Sequence, residues 1–257
     1  MVTEFNTVNV GGLPTLACTA VELAEICLSD CKHTHNDRVK PKLVFSSNGQ
    51  GVALANSDHN FMAAMCEADI IHADGMSIVF ASRIFGSSTL PERIPTTDFI
   101  HVLSDVARMK GQRIRYYFLG ATPDQCALAV KEVKQKYPHV DVVGWRDGYF
   151  SNDEIPAVAR DIDECAPDVL WLAMGKPRQE YVAIQLKKHL ESVGWIKTCG
   201  GLFDFLSGKN ERAPVLMQSM GLEWLHRLWK NPRKLFVRYA TTNIRAVWAF
   251  FRHSRRI

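Results

Sequence analysis

A carboxylate stands at the mouth of an apolar run in the stretch ADIIHADGMSIV, residues 68–79. Ile70 and Ile71 lead into Asp74 and Gly75, and an apolar helix-like pattern resumes behind them. Burying an unpaired charge is costly, so a structural partner holds Asp74 or chemistry uses it. A helix N-terminus favours the carboxylate form, which suits a general base. The plain alternative is that Asp74 caps the helix beginning near Gly75. No second carboxylate at a fixed spacing marks a glycosidase pair, and no G-x-S-x-G elbow marks a hydrolase.

Other groups able to do chemistry recur at similar points. Ser46-Ser47-Asn48 follows the run KLVF. GATP, residues 120–123, has the form of a tight glycine turn before a helix, where Gly120 and Thr122 either hold a phosphate on the helix N-terminus or simply start the helix. In GKPRQE, residues 175–180, Lys176 and Arg178 could meet phosphates and Gln179 could hydrogen-bond a sugar or a base. The bland reading is a solvated helix start. Gly200 and Gly201, followed by Asp204, would let a ligand approach the backbone closely, or form a packing turn with Asp204 as a helix cap. Arg93 and Asp98 in LPERIPTTDF offer either bidentate anion binding at Arg93 or a surface ion pair.

These groups must be placed by something, and the chain supplies a regular frame. Six short apolar segments read as strands: 42–48, 69–75, 113–120, 140–148, 167–175 and 195–201. Helix-period segments lie between them, such as TPDQCALAVKEVKQKY and SNDEIPAVARDIDEC. Thr122 followed by Pro123 reads as an N-cap with proline at N1, and Ser151 with Glu154 as a capping box. This alternation argues for an α/β fold: a mostly parallel sheet with helices on both faces. In such sheets ligands sit beyond the carboxyl ends of the strands, where every candidate group falls.

The 257-residue chain is 47% hydrophobic, long enough for one large domain or a domain with an appendage. Its seven scattered cysteines form no C-x-x-C pair, and free thiols in a reducing compartment are expected. Cys27, Cys31, His33 and His35 are close in sequence, but Cys27 sits in an apolar periodic stretch and the spacing matches no zinc pattern, so no metal is expected. The first residues do not read as a signal peptide, and no run of about 18 apolar residues marks a membrane span. A cytoplasmic protein is the expectation.

Residues 221–257 hold nine Lys and Arg against one acid, Glu223, for a net +8; the chain as a whole is +4, so the remainder sums to −4. The tail interleaves these cations with Trp224, Trp229, Phe236, Tyr239, Trp248, Phe250 and Phe251. Two readings follow: amphipathic helices packed on the core, or an interfacial segment that meets an anionic membrane. The second is favoured. Nucleic acid is not the expected partner, because the body offers no basic groove. The boundary is placed between a core, residues 1–220, and a basic aromatic appendage, residues 221–257.

Taken together, ADGMSIVFASR, LPERIPTTD, VVGWRDGYF, MGKPRQE, CGGLFDFLSGKNERAP and GLEWLHRLWKNPRKLFVRY resemble, in order and spacing, the motifs of the WecG/TagA/CpsF glycosyltransferases. The resemblance covers roughly residues 40–240. It implies a Rossmann-like core with a C-terminal helical appendage that reaches the inner face of the cell membrane and helps complete the active site. It also implies inverting transfer of a sugar from a UDP-sugar to a polyprenyl-diphosphate-linked saccharide, without a metal. The family's general base falls on Asp74, its Thr-x-Asn on Ser46-Ser47-Asn48, the arginine of P-E-R on Arg93 and the glutamine of G-x-P-x-Q-E on Gln179. The appendage arginines that meet diphosphates fall on Arg227, Arg233 and Arg238. The pattern is departed from in two places: Thr198-Cys199 replaces Gly-Val, and Thr96 stands where glycine is usual.

Two rivals use the same frame. A nucleotide-binding module without turnover is one. An NAD(P)-dependent oxidoreductase is the other, but the chain lacks the full G-x-G-x-x-G with its acidic ribose ligand. The sequence names neither the donor sugar nor the polysaccharide pathway, and it leaves a homo-oligomer open.

Overall fold

The computed structural model describes residues 6–34, 40–219, 221–230 and 232–254. The chain opens with a hairpin of β1 (Thr7–Val10) and β2 (Leu13–Leu16), paired antiparallel. Gly11 and Gly12 join them, both at positive φ (62° and 88°), the backbone that a two-residue hairpin turn requires. Val8, Val10 and Leu13 alternate with exposed residues and face the core. The sequence reading did not find this hairpin.

The expected strands all form, as β3 (Lys42–Ser47), β4 (Ile70–Ala73), β5 (Ile114–Gly120), β6 (Val140–Arg146), β7 (Val169–Ala173) and β8 (Trp195–Thr198). They make one parallel sheet in the order β4-β3-β8-β7-β5-β6. Helices link them: α1 (Ala20–Thr34), α2 (Gly49–Ala55), α3 (His59–Cys66), α4 (Met76–Phe85), α5 (Thr96–Met109), α6 (Pro123–Lys136), α7 (Ile155–Cys165) and α8 (Arg178–His189). β7 is buried along its whole length, as a strand covered on both faces must be. Leu43, Phe45, Leu170, Leu172 and Ile196 point to one face, where the hairpin, α2, α7 and α8 pack. Val44, Tyr116, Phe118, Trp171 and Trp195 point to the other, under α1, α5 and α6.

Both expected helix starts are present. Thr122 and Gln125 form a reciprocal capping box with Pro123 at N1, and Ser151 with Glu154 does the same before α7. Cys27 and Cys31 lie buried in the core, their sulfurs 3.9 Å apart. His35 and the His33 side chain lie outside the described residues. Among the described residues no three His, Cys, Asp or Glu side chains converge to hold a metal.

After β8 come α9 (Leu202–Leu206), α10 (Val215–Ser219), α11 (Glu223–Lys230) and α12 (Pro232–His253). The boundary expected at 220/221 falls between α10 and α11. α12 is not an appendage over its whole length: Ala246, Ala249 and Phe250 are buried in the same core face as the hairpin and α2. Ser254 Oγ, itself buried, accepts a hydrogen bond of 2.7 Å from the Gly11 N–H, tying the end of the described chain to its beginning. α12 turns one side into the core and the other outward. Trp229 is 84% exposed, and Phe236, Ile244, Val247, Trp248 and Phe251 are exposed along α12. Among the described residues no helix is long and apolar enough to cross a membrane.

Candidate active site

The carboxyl ends of β3, β4, β7 and β8 meet beside one another, and most of the candidate groups collect there. Asp74 follows β4, half-buried, and its backbone N–H bonds to the Ser47 carbonyl at 2.8 Å. Its Oδ2 accepts from Asn48 Nδ2 at 3.1 Å and its Oδ1 from the Thr96 N–H at 2.9 Å. It is not the cap of α4. Gly75 occupies the cap position, and no side chain bonds there. Asp74 is therefore oriented by two neutral donors from two other segments, which leaves it accessible and fixed.

Asn48 is fixed in turn. It caps α2, with Oδ1 accepting from the Gly51 N–H at 2.9 Å, so its amide nitrogen must face Asp74. Thr96 holds Asp74 through its backbone N–H, which every residue but proline supplies; its departure from glycine leaves this contact intact. Ser46 and Ser47 are buried at the end of β3. Among buried side chains at these strand ends, the hydroxyls of Ser47, Thr96 and Thr198 have no hydrogen-bond partner in the protein.

Lys176 and Gln179 brace the site from below. Lys176 Nζ donates to the Ser46 carbonyl at 2.7 Å and to Glu180 Oε1 at 3.0 Å, the carboxylate being fully buried. Gln179, 1% exposed, accepts from the N–H groups of Gly175 (3.2 Å) and Gly200 (2.9 Å) and donates to Glu180 at 2.8 Å. Both side chains are engaged inward, because buried polar groups require partners. Their effect is to lock the loops after β3, β7 and β8 together. Gly200 (φ 52°) and Gly201 form the turn into α9, with Gly201 at the cap position. Asp204 lies in the first turn of α9 and pairs with Lys209 at 3.2 Å; Gly201, not Asp204, holds the cap position.

Gly120 and Thr122 stand apart. β5 is four strand spacings from β4, about 19 Å. Gly120 has φ 135°, and a Cβ there would lie 2.2 Å from the Ala173 carbonyl oxygen. Close backbone crossing sets Gly120, and the capping box engages Thr122. Arg93 and Asp98 do not pair with each other. Asp98 is forked by Arg212, while Arg93 Nη1 lies 3.8 Å from Glu223 Oε2. Arg233 is exposed on α12, and the side chains of Arg227 and Arg238 lie outside the described residues.

Sequence reasoning passed over several residues here. Lys197, in β8, is fully buried and donates to the Thr198 carbonyl at 2.7 Å; burial brings its pKa down to about 8. His72, two residues before Asp74, is fully buried with both ring nitrogens unpartnered, and burial pushes its pKa down, with Lys197 adding to the effect. Arg212 and Glu223 are the others. In a strand or loop quoted as a string, such residues carry no local signal, because their partners come from distant segments.

A parallel α/β sheet with a fixed, accessible carboxylate and clustered loop glycines at its carboxyl edge defines a Rossmann-like fold whose ligand edge is at the strand ends. The comparisons name the family. The model of the WecG/TagA/CpsF family of glycosyl transferases matches residues 8–257, and the chain belongs to that family. Among its relatives is the N-acetylglucosaminyldiphosphoundecaprenol N-acetyl-beta-D-mannosaminyltransferase of Bacillus spizizenii, 31% identical over 207 residues, which are 80% of this chain and 78% of the relative. The protein of the same description from Bacillus subtilis strain 168 is 32% identical over 194 residues, 76% of this chain and 70% of the relative.

Proposed function

We propose that this glycosyltransferase moves a sugar from a UDP-sugar to a saccharide carried on polyprenyl diphosphate, with inversion at the anomeric carbon. The observation that carries the reading is the Asp74 carboxylate, held at the strand mouth by Asn48 Nδ2 and the Thr96 N–H. In this mechanism the acceptor hydroxyl loses its proton to Asp74 as its oxygen attacks the anomeric carbon, and the bond to UDP breaks. Asn48 and Thr96 keep the carboxylate aimed, and Asn48 donates to it throughout. Charge growing on the leaving diphosphate is met by arginine rather than by a metal, with Arg93 in the core and Arg227, Arg233 and Arg238 from the C-terminal helices. Arg93 fits this part: its guanidinium is mostly shielded from solvent, and its ion pair to Glu223 is long at 3.8 Å.

The acceptor class is supported by the two Bacillus relatives, whose description names N-acetylglucosaminyldiphosphoundecaprenol. A lipid-linked acceptor lies in the membrane plane, so the enzyme must dock there. The exposed Trp229, Phe236, Trp248 and Phe251, interleaved with the basic residues of 221–257, suit the inner face of a bacterial membrane bearing anionic lipid.

The test is a transfer assay on liposomes containing polyprenyl-diphospho-N-acetylglucosamine. A panel of UDP-sugars is offered with EDTA present, and mass spectrometry looks for one added sugar on the lipid. One donor giving product supports the proposal and names the sugar. UDP binding without product from any donor would favour a nucleotide-sugar-binding module instead.

A further inference from the structure

Arg212, in the loop after α9, is engaged on every side. Its Nη1 donates to Thr97 Oγ1 at 2.7 Å, and Nη1 and Nη2 together fork the Asp98 carboxylate. Nη2 also donates to Gln218 Oε1 at 2.7 Å, and Nε lies 3.3 Å from Glu223 Oε1, an ion-pair distance without hydrogen-bond alignment. The guanidinium carbon sits 5.6 Å above the Phe205 ring centre. Burial works against the charge, but the Asp98 bond and Glu223 outweigh it and hold the guanidinium pKa above its usual value. One side chain thus joins α5, α9, α10 and α11.

The place where it grips is what matters. Thr97 and Asp98 lie in the first turn of α5, directly after Thr96, whose N–H holds Asp74 Oδ1. The start of α5 has no side-chain cap of its own, because Pro95 occupies the cap position and has no side chain able to accept from the first turn. Uncapped helix starts fray. Here the fork from Arg212 onto Asp98, reinforced by Thr97, replaces the cap and fixes where the Thr96 N–H points.

We propose that Arg212 is a positioning residue for Asp74: it pins the first turn of α5, and so orients the carboxylate, only while the segment carrying α10 and α11 is in place. This rests on the reading of Asp74 as the base. It makes the geometry of the base depend on a segment that contributes no atom to it, and it gives Gln218 and Glu223 a task at the site.

The experiment compares wild type, Arg212→Ala, Arg212→Lys, Asp98→Asn and Asp74→Asn in the liposome transfer assay, with melting temperature and UDP affinity measured alongside. A loss of alignment of about 1 Å is worth about 100-fold in rate, so Arg212→Ala should lose about that in kcat while its donor KM changes less than about threefold. Sub-denaturing guanidinium, which fits the site left between Asp98, Gln218 and Phe205, should restore part of kcat. Asp98→Asn should lose kcat in the same sense, and combining it with Arg212→Ala should add little. Arg212→Lys keeps a cation but loses the fork, and should fall between. Wild-type kcat in Arg212→Ala would overturn the proposal. So would a loss carried by KM or by melting temperature alone, with no guanidinium rescue. Wild-type turnover in Asp74→Asn would overturn the assignment of the base itself, and this proposal with it.

Discussion

Replacing Phe250 with alanine probes whether the C-terminal helix belongs to the core. Phe250 is 5% exposed and packs with Ala246 and Ala249 against the face built by Val8, Val10 and Val52. Removing a buried phenyl ring from such a site costs about 3–5 kcal/mol, the range reflecting how far the neighbours relax. Relaxation is limited here. Gly11 holds positive φ, and a Cβ placed on it would lie 3.3 Å from Phe250 Cδ1, so the ring is already in close contact with a constrained turn. Against a total stability of about 5–15 kcal/mol, the loss is large. Urea denaturation followed by circular dichroism should show a midpoint well below wild type with an unchanged slope. Ser254→Ala, which removes the acceptor for the Gly11 N–H, should cost about 1–2 kcal/mol more modestly. A chain ending at Gly221 loses all of these contacts and should melt earlier than the full chain, in addition to losing activity. A Phe250→Ala protein within about 0.5 kcal/mol of wild type would refute the docking of α12 and restore the picture of a free appendage.

Two further outcomes concern His101 and Gln179. Burial, then Lys136, lowers the pKa of His101 to about 4, while the unfolded chain titrates at its ordinary value of 6.5. The folded state therefore resists a proton that the unfolded state accepts, and stability present above pH 6.5 is lost as pH falls toward 4, by about 3 kcal/mol at most. His72 is shifted in the same direction. A series of melting curves between pH 7 and 4 should decline accordingly, and His101→Gln should flatten the decline; equal slopes would refute the assignment. Gln179→Leu strips the acceptor from the N–H groups of Gly175 and Gly200, at about 1–3 kcal/mol for each group left unpaired in the interior. The bracing role predicts a lower melting temperature together with weaker UDP binding, whereas an unchanged melting temperature with weaker binding would mean that Gln179 meets the ligand directly.

How much of this could be read from the sequence depends on how far apart the interacting residues lie. The six parallel strands were legible because each is a short apolar run closed by glycine or a polar turn. The capping boxes at Thr122 and Ser151 were legible because both partners sit within three residues. Asp74 stood out by its place, but its restraint did not. Asn48 is 26 residues before it and Thr96 is 22 after, and only the fold brings them together. The fork between Arg212 and Asp98 spans 114 residues and left no local mark. The strand order β4-β3-β8-β7-β5-β6 was equally hidden. The hairpin could have been found, since Val8 and Val10 alternate with polar residues before Gly11-Gly12. In the tail, helical periodicity records that a helix has an apolar side, not whether that side faces a core or a bilayer. The inward bonds of Lys176 and Gln179 were equally hidden, because Ser46 and Gly200 lie 130 and 21 residues away.

Whether Asp74 takes the proton from the acceptor is decided by single-turnover transfer measured beside UDP affinity in wild type and Asp74→Asn. Asparagine keeps the size of the side chain and an oxygen able to accept from Asn48 or Thr96, but cannot take up the proton. The account predicts that UDP affinity stays within a few-fold while the transfer rate falls by about 100-fold or more. Transfer at the wild-type rate, with UDP still bound, would contradict it and place the base elsewhere.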